Sequence, residues 1–341
     1  MRWIRWWALI IFGAASTIFT GWWQLDVLEA FQNTTPDPLL NGRFVDPSIP
    51  GLLKSIAKDG EIIMMAATGG YTGFVMNAIC YLRRLGVSHF VVLALDGAVW
   101  EFCKEKKLGV VRASSLGIQK RYGAMAPSLR SKEFNLIARE KHAGVLACLL
   151  NGLNVLLLDV DVVLLRDPYE EIWPLSKHHD FVFQSDAKLE DAPNFYMNSG
   201  FYYATPSLGS SLVIAHVLED THDGQNQEQT VLHLLLCGSS NSNAVDQWEC
   251  KNTALNASST VLDRKKFTNG HAVTRAPGSA AVLSWDPYSI HFNWLEGKRN
   301  KIQVMQALGM WLVDDKNECI REFHMERSKE LAVEFDRLLG L

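Results

Sequence analysis

Apolar positions in this chain fall into runs of two lengths. No charged residue interrupts Trp6 to Trp23, a stretch of 18 residues. Shorter aliphatic runs follow at Ile62–Ala67, Phe90–Leu95 and Val155–Leu158, each closed by a polar residue or a turn. Continuous apolar runs of this short length read as strands buried on both faces, as in a parallel sheet. After the first of them, Thr68-Gly69-Gly70 makes a tight turn, and a helical pattern then passes through Asn77 to Leu85 and closes at Gly86. A second helix is predicted over 131–151, with Gly152 as its terminator. Strand–helix–strand at this spacing predicts a Rossmann-like sheet. Beyond Asp167-Pro168 the alternation is less regular, giving mixed strands and loops to about residue 295. Residues 320–339 read as a surface helix with Ile320, Phe323, Leu331, Phe335 and Leu338 toward the core.

The long run is near the minimum for a helix that crosses a bilayer. Trp3, Trp6 and Trp7 at one end and Trp22 and Trp23 at the other resemble interfacial belts. Arg2 and Arg5 before the run, with Asp26 and Glu29 after it, place the amino terminus in the cytosol and the remainder in a lumen. The competing reading is a cleaved signal peptide at Gly13-Ala14-Ala15, but apolar Ile18, Phe19, Trp22 and Trp23 continue past that point. The expected organisation is a cytosolic tip and signal anchor over 1–23, a stem over 24–60 interrupted by Pro36, Pro38, Pro47 and Pro50, and a globular domain over 61–341. A Golgi membrane protein with a luminal domain fits this plan. Sequons at Asn33 and Asn256 agree with that destination. Cys237 and Cys250 flank a polar segment that a disulfide would close, or they are free and buried; Cys80 and Cys148 lie in apolar helical stretches and read as core.

With 48% hydrophobic and 21% charged residues the chain can build a substantial core. A formal charge of −4 implies no general phosphate-backbone binder such as a nucleic-acid protein, since that role needs a clustered Lys/Arg surface. Phosphate binding here has to be local.

The third short run leads directly into Asp159-Val160-Asp161. In open α/β sheets ligands bind beyond the carboxyl ends of the strands. In an extended backbone, residues i and i+2 face the same side, so both carboxylates can address one Mg²⁺ or Mn²⁺ ion. The plain alternative is a pair that merely ends a strand. Val162-Val163-Leu164-Leu165 follows at once, and burying two carboxylates between apolar runs is costly without a cation. A haloacid-dehalogenase-like phosphatase also carries an apolar strand ending in Asp-x-Asp, with Asp159 then the nucleophile and Asp314-Asp315 the later acidic pair. About a hundred residues of α/β pattern before the motif count against it.

Leu157-Leu158-Asp159-Val160-Asp161-Val162-Val163 with Arg166-Asp167-Pro168 resembles the nucleotide-diphospho-sugar transferase domain of plant and algal cell-wall glycosyltransferases, family 77 of the sequence classification, which includes arabinosyl-, xylosyl- and galactosyltransferases. Gln184-Ser185-Asp186-Ala187, Met197-Asn198-Ser199-Gly200, Phe267-Thr268-Asn269-Gly270 and His291-Phe292-Asn293-Trp294-Leu295-Glu296-Gly297 with Lys301 agree in order. The resemblance spans roughly Glu61 to Asp314. It implies a GT-A fold, with a mostly parallel sheet and flanking helices. It also implies a UDP-sugar donor, Mn²⁺ (or Mg²⁺), a glycan or glycoprotein acceptor, and retention of configuration.

Roles follow from the resemblance at matching positions. Asp161, Asp159 and His291 would hold the metal, with Asp159 also at the ribose; a lone histidine is otherwise more often core. Gly297 and Lys301 would meet the pyrophosphate, with Lys298 a competing candidate. Lys141 would lean toward the donor, or else sit on a solvated helix face. Asp186 and Asn198 would bind sugar hydroxyls, although turn chemistry suits them equally. Glu228 and Gln229, with Asp186, would stand near the reacting carbon; the family often has Asp-Gln where this chain has Glu228-Gln229. Thr68 and Asp96 would flank the nucleoside, or simply cap the following elements. A non-catalytic partner of the same fold is a further alternative, disfavoured by the intact Asp159, Asp161 and His291.

Overall fold

The computed structural model describes residues 48–116, 131–191, 196–275, 277–320 and 322–341. The expected membrane anchor, most of the stem and the Asn33 sequon lie outside these residues. Among the described residues no helix is long and apolar enough to cross a membrane.

In chain order the strands are β1 (Glu61–Ala67), β2 (Phe90–Ala94), β3 (Val110–Arg112), β4 (Asn154–Leu158), β5 (Val162–Leu164), β6 (Phe181–Ser185), β7 (Met197–Ala204), β8 (Glu249–Asn252), β9 (Ala257–Val261), β10 (Phe267–Asn269) and β11 (Ser289–His291). The helices are α1 (Ile49–Ile56), α2 (Thr72–Arg84), α3 (Gly97–Glu105), α4 (Lys132–Leu150), α5 (Tyr169–Ser176), α6 (Leu208–Asp220), α7 (Glu228–Cys237), α8 (Gly270–Thr274), α9 (Ser279–Ser284), α10 (Lys298–Ala307) and α11 (Met325–Leu339).

Eight strands form one sheet in the order β3-β2-β1-β4-β7-β6-β9-β8. β7 and β8 run against the rest. This is the mostly parallel, Rossmann-like sheet that the apolar runs predict. Alternate residues of β1 serve its two faces, as pleating requires. Ile63, Met65 and Ala67 share a core with Phe74, Val75 and Ile79 of α2. Met64 points the other way, toward α4, where Gly144 leaves room: a Cβ there would lie 3.1 Å from the Met64 sulfur. A second sheet, β10-β11-β5, joins β11 antiparallel to β5 with His291 opposite Val162.

Several expectations need correction. Helix α1 falls inside the segment read as stem, yet Ile49 and Leu53 are buried. The last helix begins at Met325, not at 320, and Ile320 and Leu338 are 52% and 72% exposed. Its buried face is Ser328, Ala332 and Asp336. The buried carboxylate there is the reason: Asp336 accepts the backbone N–H groups of Ser279 and Ala280, each at 2.8 Å, and so satisfies the free amino end of α9. Cys80 is buried but not free. It is disulfide-bonded to Cys319, and an isolated bridge between Val313 and Cys319 keeps that stretch extended. Cys237 and Cys250 are bonded to each other, while Cys103 and Cys148 are free and buried. Asn256 is exposed, between β8 and β9.

The Cys80–Cys319 bond has neighbours that act with it. Asn77 donates to the carbonyl of Met310 and accepts the N–H of Leu312, and the Tyr81 hydroxyl donates to Met310 as well. Helix α2 is therefore pinned to the chain just after α10, the helix that carries Lys301.

Replacing Cys80 and Cys319 together by serine opens a tie across 239 residues. The expected loss is roughly 2–5 kcal/mol, read as a lower midpoint in urea under oxidising conditions. The Cys237→Ser, Cys250→Ser pair closes only 13 residues and should lose less.

Candidate functional site

Strand β4 ends where the two sheets meet. The backbone N–H of Asp159 donates to the carbonyl of Gly200 on β7, and Val162 N–H donates back to Asp159 at 3.1 Å. Asp159 to Val162 is thus a tight turn, so the two carboxylates converge by turning rather than by strand alternation. Phe292 N–H donates to the carbonyl of Asp161 at 3.0 Å. Because His291 sits opposite Val162 in the β5–β11 register, its ring arrives beside Asp161 although 130 positions separate them.

Ligand atoms of Asp159, Asp161 and His291 all lie within 4.8 Å of one another. His291 Nε2 is 3.2 Å from Asp161 Oδ1. The other ring nitrogen, Nδ1, is 3.1 Å from Gln184 Oε1, and Gln184 Nε2 donates to the Thr268 carbonyl at 2.7 Å. With its amide fixed this way, Gln184 presents an acceptor to Nδ1, which leaves Nε2 as the nitrogen that faces the carboxylates. Two carboxylates and an imidazole nitrogen turned on one another, with the imidazole oriented from behind, fit a divalent cation. Gly200 makes the convergence possible: a Cβ there would collide with Asp159 Oδ2 and His291 Cε1.

Two ammonium groups flank the acids. Lys141, 6% exposed on α4, donates to Asp159 Oδ1 at 3.1 Å and lies 3.6 Å from Glu228 Oε1. Burial works against its charge, but Asp159 and Glu228 outweigh it and hold the amine above its ordinary range. The solvated-face alternative for Lys141 is therefore wrong. Lys301 on α10 donates to Asp161 Oδ2 at 2.5 Å. Burial raises the Asp161 carboxyl, and Lys301 and His291 overcome that and hold it far below the usual carboxylate range. Lys298, the competing candidate, instead donates to the Gly70 carbonyl. Gly297 caps α10 at φ +82°, with open space where a side chain would stand.

Asp186 is a second centre. Its Oδ1 accepts from Asn198 Nδ2 at 3.0 Å, Asn293 Nδ2 at 2.6 Å and Trp294 Nε1 at 3.1 Å; its Oδ2 accepts from Gln229 Nε2 at 3.1 Å. Burial raises its carboxyl, and the bonds from Gln229 and Asn198 partly offset this. Glu228 faces away from this group: its Oε1 accepts the Ser199 hydroxyl at 2.7 Å and neighbours Lys141. Asp96 caps α3 by accepting Val99 N–H at 2.9 Å, and its other oxygen accepts Gly69 N–H at 2.7 Å. Thr68 is buried at the end of β1, just before that turn, and makes no capping bond. Sequence reading gave no role to Gln184, Ser199, Gly200, Asn293 or Trp294. All lay inside the quoted motifs, but only pairing across strands reveals what they touch.

The nucleotide-diphospho-sugar transferase family model matches residues 85–305. Beta-arabinofuranosyltransferase RAY1 of Arabidopsis thaliana is 26% identical over 281 residues, 78% of this chain and 50% of that protein. Arabinosyltransferase RRA1 of Arabidopsis thaliana is 23% identical over 316 residues, 87% of this chain and 73% of that protein. UDP-D-xylose:L-fucose alpha-1,3-D-xylosyltransferase MGP4 of Arabidopsis thaliana is 25% identical over 288 residues, 79% and 75% respectively. The chain thus spans about half the length of the first of these relatives.

Gly200→Ala should push Asp159 and His291 apart and weaken Mn²⁺ binding beyond detection by calorimetry, with the far-ultraviolet spectrum retained. Gln184→Leu, which frees the imidazole to rotate, should weaken Mn²⁺ roughly 10–100-fold, while Gln184→Glu retains most of the affinity.

Proposed function

The chain belongs to the nucleotide-diphospho-sugar transferase family, and from that membership we propose that it moves a sugar from a UDP-sugar to a glycan or glycoprotein acceptor, with a divalent metal and with retention of configuration. The observation that carries the metal part of the reading is the convergence of Asp159, Asp161 and His291 between two lysines. These three residues would hold Mn²⁺ or Mg²⁺, and the positive charge supplied there would offset that of the departing diphosphate.

The remaining steps belong to the chain's own side chains. Lys301 and Lys141 supply positive charge on either side of the diphosphate, and Gly297, with no side chain in the way, lets backbone approach the pyrophosphate. Thr68 and the turn that Asp96 holds through Gly69 border the nucleoside. Asp186, fixed by four donors, is a preorganised acceptor for donor-sugar hydroxyls, together with Asn198. Gln229 bridges Asp186 and the Ser199 N–H, which keeps its amide beside the reacting carbon. Glu228 acts at one remove, holding Lys141 in place. Among the described residues no side chain is hydrogen-bonded to Asp186 as a general base, and in this reading the acceptor hydroxyl loses its proton to the departing phosphate on the same face. Rate then comes from positioning and electrostatics. We further propose a single-pass Golgi anchor at the amino terminus with this domain in the lumen.

The phosphatase reading gains nothing: Lys141 binds the Asp159 carboxylate, and Asp314 accepts the N–H groups of Lys316 and Glu318 within a surface turn. The expected result with a panel of UDP-sugars is UDP release that requires Mn²⁺. Asp161→Asn should lower it at least roughly 100-fold and Lys301→Ala roughly 10–100-fold, mainly in kcat. UDP release at the same rate in excess chelator would refute metal dependence, and silence toward every UDP-sugar would refute the transferase.

A further inference from the structure

Beside the Asp186 centre lies a cavity of about 680 Å³ lined by Leu189, Glu190, Lys265, His271, Arg275, Pro277 and Trp285. None of these residues takes part in donor or metal binding as proposed above. It is a depression open to solvent, and its volume is within the range of small-ligand sites, roughly 300–1,000 Å³.

A continuous set of contacts joins it to the reacting centre. The ring of His271, in the cavity wall, meets the indole of Trp294 edge-on with centroids 5.3 Å apart. The indole N–H of Trp294 donates to Asp186. Asn293 donates to Asp186 and accepts Gly270 N–H, so α8, which carries His271, is fixed to the same carboxylate. Asn269 at the start of α8 donates to the Ala187 carbonyl and ties down the loop that leads from Asp186 to Leu189 and Glu190. Trp294 is 50% exposed and holds a backbone φ of +60°, a region that bulky residues rarely occupy. Strain retained at a half-exposed indole, where a hydrogen bond aims it at the site, marks a surface built for contact.

The lining has a definite chemistry. Trp285, Leu189 and Pro277 offer apolar faces of the kind that pack on the C–H face of a sugar ring. Lys265 stands over the Trp285 ring at 5.5 Å, and Arg275 forms no ion pair among the described residues. Against these two cations there is one carboxylate, Glu190, and it lies 3.8 Å from His271. A local excess of positive charge on a chain of net charge −4 selects an anion.

Resting on the transferase reading, we infer that this cavity is the acceptor subsite and that it takes an acidic glycan, a carboxylate-bearing sugar unit packed on Trp285 and paired with Arg275 and Lys265, whose neighbour is led over Trp294 to the reacting centre.

The test uses the full chain and two probes, a trimeric galacturonide and the same trimer with its carboxyl groups reduced, followed by ligand-observed NMR titration. The expected result is at least tenfold tighter binding of the acidic trimer. Arg275→Ala and Lys265→Ala should each remove at least fivefold of it, and Arg275→Lys should restore most of the Arg275→Ala loss. Both side chains project from the surface, so these variants keep the fold. Equal affinity for the two trimers overturns the inference, as does displacement of the acidic trimer by equimolar inorganic phosphate, which would assign the cavity to phosphate. UDP release from the unmutated chain is measured alongside. Release with no preference between trimers sinks the subsite alone; no release from any UDP-sugar sinks the transferase reading and the subsite with it.

Discussion

Two carboxylates held two positions apart at the seam between two sheets repel one another, and Asp161 is removed from water as well. Such a pair persists only where positive charge is brought to it. Lys141 comes to Asp159 from α4, Lys301 comes to Asp161 from α10, and the His291 imidazole comes from the end of β11. These three partners lie far apart in sequence. Their meeting is what fits this part of the chain to the divalent ion and diphosphate proposed for it, where a bare strand end would not.

The cradle around the pair is stiff because it is built from backbone and from side chains that are themselves bonded. Gly200 allows contact where no larger residue fits. Gln184 fixes the imidazole by its bond to Thr268. Helix α2 holds the chain that follows α10 through Asn77, Tyr81 and the Cys80–Cys319 bond. Asp186 draws Asn198, Gln229, Asn293 and Trp294 onto one carboxylate. Preorganisation of this sort suits a reaction in which charge separates without an obvious general base, since the donors need not move when the charge develops.

Glu228 stands beside the Asp186 centre in sequence but not in contact. Its carboxylate accepts the Ser199 hydroxyl and neighbours Lys141, so it supports the ammonium bonded to Asp159.

The chain by itself determined β1, β2 and β4, the helices over 72–84 and 132–150 and the Asp159-Val160-Asp161 motif at a strand end, because apolar runs and their punctuation are local properties, whereas the short edge strand β3 left no such run. It also carried the ordered motifs from which the family could be read. Ile320 and Leu338 misled because periodicity reports which residues are apolar, whereas Asp336 is buried to satisfy the end of another helix, a demand that arises only on packing. Tertiary structure alone decided the insertion of β7 beside β4, the register that sets His291 against Val162, the Cys80–Cys319 pairing and the posture of Glu228 and Gln184. Each depends on which distant backbone runs alongside, and hydrogen-bond pairing between strands leaves no trace in the spacing of residues along either one.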